Sequence, residues 1–76
     1  MDYGTKALQR HNSSHAKPGD RVTLGEVCRA GLLSIAGIDA SEATLTRRQQ
    51  DGIWFADVAG SEWCIGSGYD WRLKAA

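Results

Sequence analysis

Five of the six aromatic residues, including all three tryptophans, lie between positions 54 and 71 of this 76-residue chain. A domain of this size buries only about 60% of its unfolded surface, so its apolar bulk has to be gathered in one place. Here that place alternates like a hairpin. In IWFADV, Trp54, Ala56 and Val58 share one face, and a type II′ turn at Gly60-Ser61 sets Val58 opposite Trp63 and Ala56 opposite Ile65. All five apolar side chains then fall on one side of the sheet. Ile53, Phe55, Asp57 and Cys64 fall on the other. Gly66-Ser67-Gly68 ends the second strand, and the run from Tyr69 to Leu73 reads as a short closing strand.

Upstream, the punctuation is that of a helix over 24–36. Thr23 is a suitable N-cap with Glu26 three residues on, and Val22 and Val27 are spaced as a hydrophobic staple. Leu24, Val27, Cys28, Leu32 and Ile35 recur at helical spacing, and Gly37 is a natural stop.

Two readings stand for residues 40–50. Asp39 and Glu42 repeat the capping grammar, Ile38 and Ala43 could staple, and Gly52 would end a second helix, although only Ala40, Ala43 and Leu45 offer it apolar surface. The rival is a strand, TLTRRQQ, turning at Asp51-Gly52. A two-residue turn there pairs Gln49 with Trp54 and Arg47 with Ala56, setting polar side chains opposite the buried face, so the helix is favoured.

Residues 1–21 are polar and turn-rich and read as a flexible N-terminal arm ending at Pro18-Gly19, leaving 22–76 as one small α+β domain. The expected architecture is one or two helices followed by a Trp-rich antiparallel hairpin or three-stranded sheet. Nine basic and nine acidic residues cancel, which argues against a large non-specific nucleic-acid footprint. Two cysteines, no basic-then-apolar leader and no apolar run of membrane-spanning length make a cytoplasmic chain with no membrane partner the default.

Catalytic and metal signatures are weak. His11 and His15 have i, i+4 spacing, but the intervening Asn-Ser-Ser disfavours a helix and no third ligand is evident. Cys28 sits on the apolar stripe of the first helix and reads as a core residue, while Cys64, on the less covered sheet face, is the more accessible thiol. Asp57, Glu62 and Asp70 form no evident acid–base pair, and Gly66-Ser67-Gly68 lacks the partners of a phosphate loop. The reading is therefore non-enzymatic, with no metal, no cofactor and no evident small-molecule substrate. The polar cluster Thr46-Arg47-Arg48-Gln49-Gln50 is more suggestive, because Arg and Gln read base edges and hold phosphates.

The order of these elements resembles small winged helix-turn-helix proteins, the MerR-like excisionases and AlpA-type regulators of phages and mobile elements. The likeness lies in LGEVCR, in SEATLTRRQQDG and in IWFADVAGSEWCIG with Trp63 in the wing, over roughly residues 23–66. GLLSIAGIDA makes the inter-helix segment longer than the family's tight turn, and the family's basic wing is missing. The resemblance implies a small regulator that binds double-stranded DNA. Thr44, Arg47, Arg48 and Gln49 would face the major groove, Gly60 and Ser61 at the hairpin tip would meet a phosphate or the minor groove, and the arm would lie along the backbone. The alternative is a protein-binding inhibitor or adaptor using Phe55, Tyr69, Trp71 and Arg72 as anchors, a surface on which a homodimer would also enlarge the thin core.

Overall fold

The computed structural model describes residues 3–74. Two helices, α1 (Tyr3–His15) and α2 (Glu26–Ala36), accompany five strands: β1 (Arg21–Leu24), β2 (Glu42–Arg48), β3 (Trp54–Val58), β4 (Ser61–Gly66) and β5 (Trp71–Leu73). The strands make one antiparallel sheet in the order β4-β3-β2-β1-β5. The fold is α+β, with two more strands than a three-stranded sheet. Only four residues join β4 to β5 at the opposite edge. The five steps from Gly66 to Trp71 span at most about 18 Å, just short of the roughly 19 Å between the edges of a flat five-stranded sheet, and the Trp54 and Trp71 rings meet across the two strands between them, so the sheet curls around its core.

The concave face holds that core. Val22 and Leu24 of β1, Ala43 and Leu45 of β2, Trp54, Ala56 and Val58 of β3, Ile65 of β4 and Trp71 of β5 are buried there with Leu32 of α2. Trp71 packs edge-on against Trp54, with ring centroids 6.2 Å apart. The indole N–H groups of all three tryptophans are buried without a protein acceptor, so these side chains act as apolar bulk. The apolar parity expected for the β3–β4 hairpin is present, but its turn is not. Val58 pairs with Ser61 and Ala56 with Trp63, so the turn residues are Ala59 and Gly60, with φ of 53° and 86°. Positive φ at both positions is type I′, whose twist suits a hairpin better than the expected Gly60-Ser61 turn. A bulge at Ile65 then lets Trp54 pair with Gly66.

Residues 40–50 form no helix. From Glu42 to Leu45 the segment alternates, with Ala43 and Leu45 inward and Glu42 and Thr44 outward, a period of two that buries both apolar residues fully on one face of the sheet. The register difficulty is removed by a longer loop and a bulge. Arg48 pairs with Trp54 and Arg47 with Phe55, but the register shifts so that Leu45 faces Ala56. Thr46 and Arg47 both turn to the outer face, where both bond Glu62.

The helix expected over 24–36 is α2, and it starts two residues later than its spacing predicts. Thr23 lies in β1 instead of capping α2, Gly25 is the N-cap with no side-chain bond of its own, and Val22 is in the core while Val27 is exposed, so neither the capping box nor the staple forms. Gly37 does end the helix, in the left-handed conformation with its N–H donating to the Leu33 carbonyl at 3.0 Å. The segment read as a flexible arm is helical over Tyr3–His15. Its anchor is Asn12, fully buried, whose Nδ2 donates to the carbonyls of Gly68 (3.0 Å) and Trp71 (2.8 Å). Gly68 permits this approach, since a Cβ there would lie 3.0 Å from that of Asn12.

Ala59 carries the left-handed strain that L-residues with a Cβ resist, while Asn tolerates that conformation. Ala59→Asn should raise stability by roughly 0.5–1 kcal/mol in urea unfolding. An unchanged or lower midpoint would show that the turn is not strained.

Candidate functional site

The two faces of the sheet differ in chemistry. The outer face is a mosaic of paired charges. Arg21 bonds Thr44 and Glu42, both at 2.8 Å, and Lys74 reaches the other oxygen of Glu42 at 2.8 Å. Arg47 donates to Glu62 at 3.0 Å with its guanidinium 4.0 Å over the Phe55 ring. These contacts hold both carboxyls below the usual range: Glu42 through Lys74 and then Arg21, Glu62 through the Thr46 hydroxyl and then Arg47.

The residues expected to meet DNA do not converge. Thr44 and Arg47 lie on the outer face, and Arg48 ends β2. Gln49 opens the loop whose N–H donates to the Ile53 carbonyl at 2.8 Å. Gly60 and Ser61 belong to the β3–β4 hairpin, near Thr44 and Glu62 but at the opposite end of β3 from Arg48 and Gln49. The second helix implied by the resemblance is β2. The aromatic anchors expected for a protein partner are also dispersed. Trp71 is 1% exposed and belongs to the core. Phe55, half-buried beneath Arg47, and Arg72 lie on the outer face, on strands separated by β2 and β1. Tyr69, 48% exposed, borders a groove beside α2.

That groove has a volume of about 450 Å³. One wall is α2, where Val27, Gly31 and Ile35 succeed one another at single-turn spacing. The other is Ile53 with Trp63 and Ile65 of β4. Val27 and Ile35 are 74% and 80% exposed, although their helix turns Leu32 into the core. Gly31 has nothing within 4 Å of where a Cβ would sit, so the wall is recessed at its middle.

The position of α2 depends on Asp70. Its Oδ2 accepts from the Cys28 N–H at 2.6 Å and its carbonyl from the Gly25 N–H at 2.7 Å. The helix start is thus capped from a loop 42 positions away instead of by its own neighbours, and the carboxylate also suits the positive helix end. Gly25 makes this possible, because a Cβ there would collide with Asp70. Cys28 packs behind the cap, its thiol 3.6 Å from the Ile65 carbonyl. Burial, then the Asp70 carboxylate, push that thiol up to about 12, so it stays protonated and unreactive at neutral pH. Cys64 is exposed. His11 and His15 do share a helix, but their rings stack at 4.3 Å, and no cluster of three or more metal-ligating side chains occurs among the described residues.

Sequence reasoning missed Asn12, Asp70 and the open apolar stripe of α2. The one local signal was the helix start at Gly25, which lacks a capping side chain. The partners of Asn12 lie 56 and 59 positions away, where no short-range pattern reaches.

No helix among the described residues is long and apolar enough to cross a membrane. No family model, curated protein or solved structure matches the chain.

Asp70→Ala should cost about 1–2 kcal/mol as a lost cap, with Asp70→Asn retaining part of it. Gly25→Ala should cost more than Asp70→Ala, because it displaces the loop as well. Equal stability of Gly25→Ala and wild type in denaturant titration would refute the trans-cap. Glu42 and Glu62 have lowered folded-state pKa values, so their contribution is complete above pH 4.5 and lost as pH falls through those values. Thermal scans below pH 4.5 should show a shallower acid loss in the Glu42→Gln/Glu62→Gln double variant than in wild type.

Proposed function

We propose that the chain is a non-enzymatic protein-binding module that holds an apolar segment of a protein partner between α2 and β4. The observation that carries this reading is the exposure of Val27 and Ile35 on the wall of an apolar groove of about 450 Å³. Leaving such side chains in water costs free energy on the order of 1 kcal/mol or more each, and a contiguous apolar recess is a common mark of a binding surface. Tyr69 at its mouth adds an amphipathic side chain of the kind enriched at interfaces. Trp71 drops out of the anchor set and Val27 and Ile35 enter it. DNA binding loses the helix on which Arg47, Arg48 and Gln49 would have been presented, and Arg47 is occupied by Glu62 and Phe55.

A displayed random-peptide library panned on the wild-type protein should enrich peptides with spaced apolar residues. Their affinity should fall by about tenfold or more for Ile35→Asp, a change at an exposed site that leaves the fold intact. Failure to enrich, or peptides indifferent to Ile35, would overturn the groove reading. Fluorescence anisotropy with mixed-sequence duplex DNA separates the rival. Tight low-salt binding abolished in Arg47→Ala/Arg48→Ala would favour the DNA reading instead.

A further inference from the structure

One wall of the groove is also an edge of the sheet. Among the described residues, β4 pairs with β3 on one side and with no strand on the other. Val58 and Ser61 flank a two-residue turn, so their backbone groups bond each other, and by alternation so do those of Ala56 and Trp63. The N–H and C=O groups of Glu62 and Cys64 therefore point away from the sheet. Edge strands of monomers are commonly guarded by Pro, Lys or a charge that repels a second strand. SEWCIG has neither Pro nor Lys, and its one charge, Glu62, is bound by Thr46 and Arg47 on the outer face.

We propose, resting on the reading of the groove as a protein-binding surface, that the partner is a second copy of this chain, its β4 antiparallel to this one. Register follows from charge and from α2. Placing Glu62 opposite the partner's Glu62 would set two carboxylates side by side. A dyad at Cys64 would pair Glu62 with the partner's Gly66 and extend the ladder past Ile65, whose carbonyl already faces the Cys28 thiol. A dyad at Trp63 avoids both. Glu62 then exchanges backbone bonds with the partner's Cys64, twice by symmetry, and the ladder stops short of Ile65.

The same dyad brings together the surfaces each copy leaves uncovered. Val27 and Ile35 border the groove beside β4, so a twofold axis through that strand turns the apolar wall of each α2 toward its counterpart. The chain has zero formal net charge, so two copies meet without overall repulsion. An interface of ordinary size removes about 800 Å² from each partner, a modest share of the 4921 Å² exposed by one copy. A core this thin gains from the addition.

Sedimentation equilibrium of the full chain from low micromolar to millimolar concentration should show a monomer–dimer equilibrium. Amide exchange at Glu62 and Cys64 should slow as concentration rises, while that of the inward-bonded Trp63 stays constant. Cys64→Pro removes one outward donor at a position where an edge strand accepts Pro, and Ile35→Asp charges the exposed wall. Each should raise the dimer dissociation constant by about tenfold or more with an unchanged circular dichroism spectrum. Should Cys64→Pro unfold, Ile35→Asp and the exchange profile decide the matter. A monomer at every concentration overturns the dimer, as does a dimer indifferent to Ile35→Asp with unprotected Glu62 and Cys64 amides. A monomer that still selects Ile35-dependent peptides overturns self-pairing alone. A β4-paired dimer that enriches no peptide upholds self-pairing and removes heterologous recognition.

Discussion

Asp70 is the contact on which the arrangement of this protein turns. A helix with no capping side chain of its own begins at Gly25, and two oxygens of one distant residue accept its first N–H groups. Those bonds place α2 against β4, bring the Cys28 thiol onto Ile65, and leave Val27 and Ile35 along an open groove. Two residues earlier in the same loop, Gly68 accepts from Asn12 and so fixes α1. Both helices thus hang on the short link that joins the edges of the curled sheet. Because an unpaired buried polar group costs about 1–3 kcal/mol, the loop, the helices and the sheet stand or fall together.

The polar side chains of the outer face are largely paired with one another. Arg21 is matched to Glu42 on the neighbouring strand, Arg47 and Lys74 reach Glu62 and Glu42 across an intervening strand, and Arg47 also covers Phe55. Exposed ion pairs of this sort contribute little individually, yet they keep a solvent-facing sheet surface neutral and mixed. Elsewhere the surface leaves the apolar wall of α2 exposed beside β4, an edge strand of the sheet. A protein of this size has little apolar material to spare, so the exposure of Val27 and Ile35 along one groove is the most informative feature of the surface.

The arginine cluster shows how a sequence pattern can point at the wrong element. Thr46, Arg47, Arg48 and Gln49 carry the side chains of a recognition helix, and Asp39 with Glu42 imitates a helix start. The deciding quantity was burial. Ala43 and Leu45 reach the core only at the two-residue period of a strand, and a bulge absorbs the mismatch that made the strand look unfavourable. A bulge is a response to the neighbouring strand and leaves no mark in the local sequence. Similarly, polar composition made residues 3–15 look unstructured, whereas Asn12 supplies tertiary bonds that dock them.

The amino-acid sequence by itself determined the inward parity of Trp54, Ala56, Val58, Trp63 and Ile65, the stop at Gly37 and the short closing strand at Trp71. Each follows from period, turn residues or backbone freedom acting within a few positions. Tertiary structure alone decided that residues 42–48 join the sheet, that Asp70 caps α2, that Asn12 anchors α1, and that the apolar wall of α2 faces a groove. Those outcomes depend on contacts between residues 15 to 59 positions apart, whose energies exist only once the sheet has curled and brought its edges close.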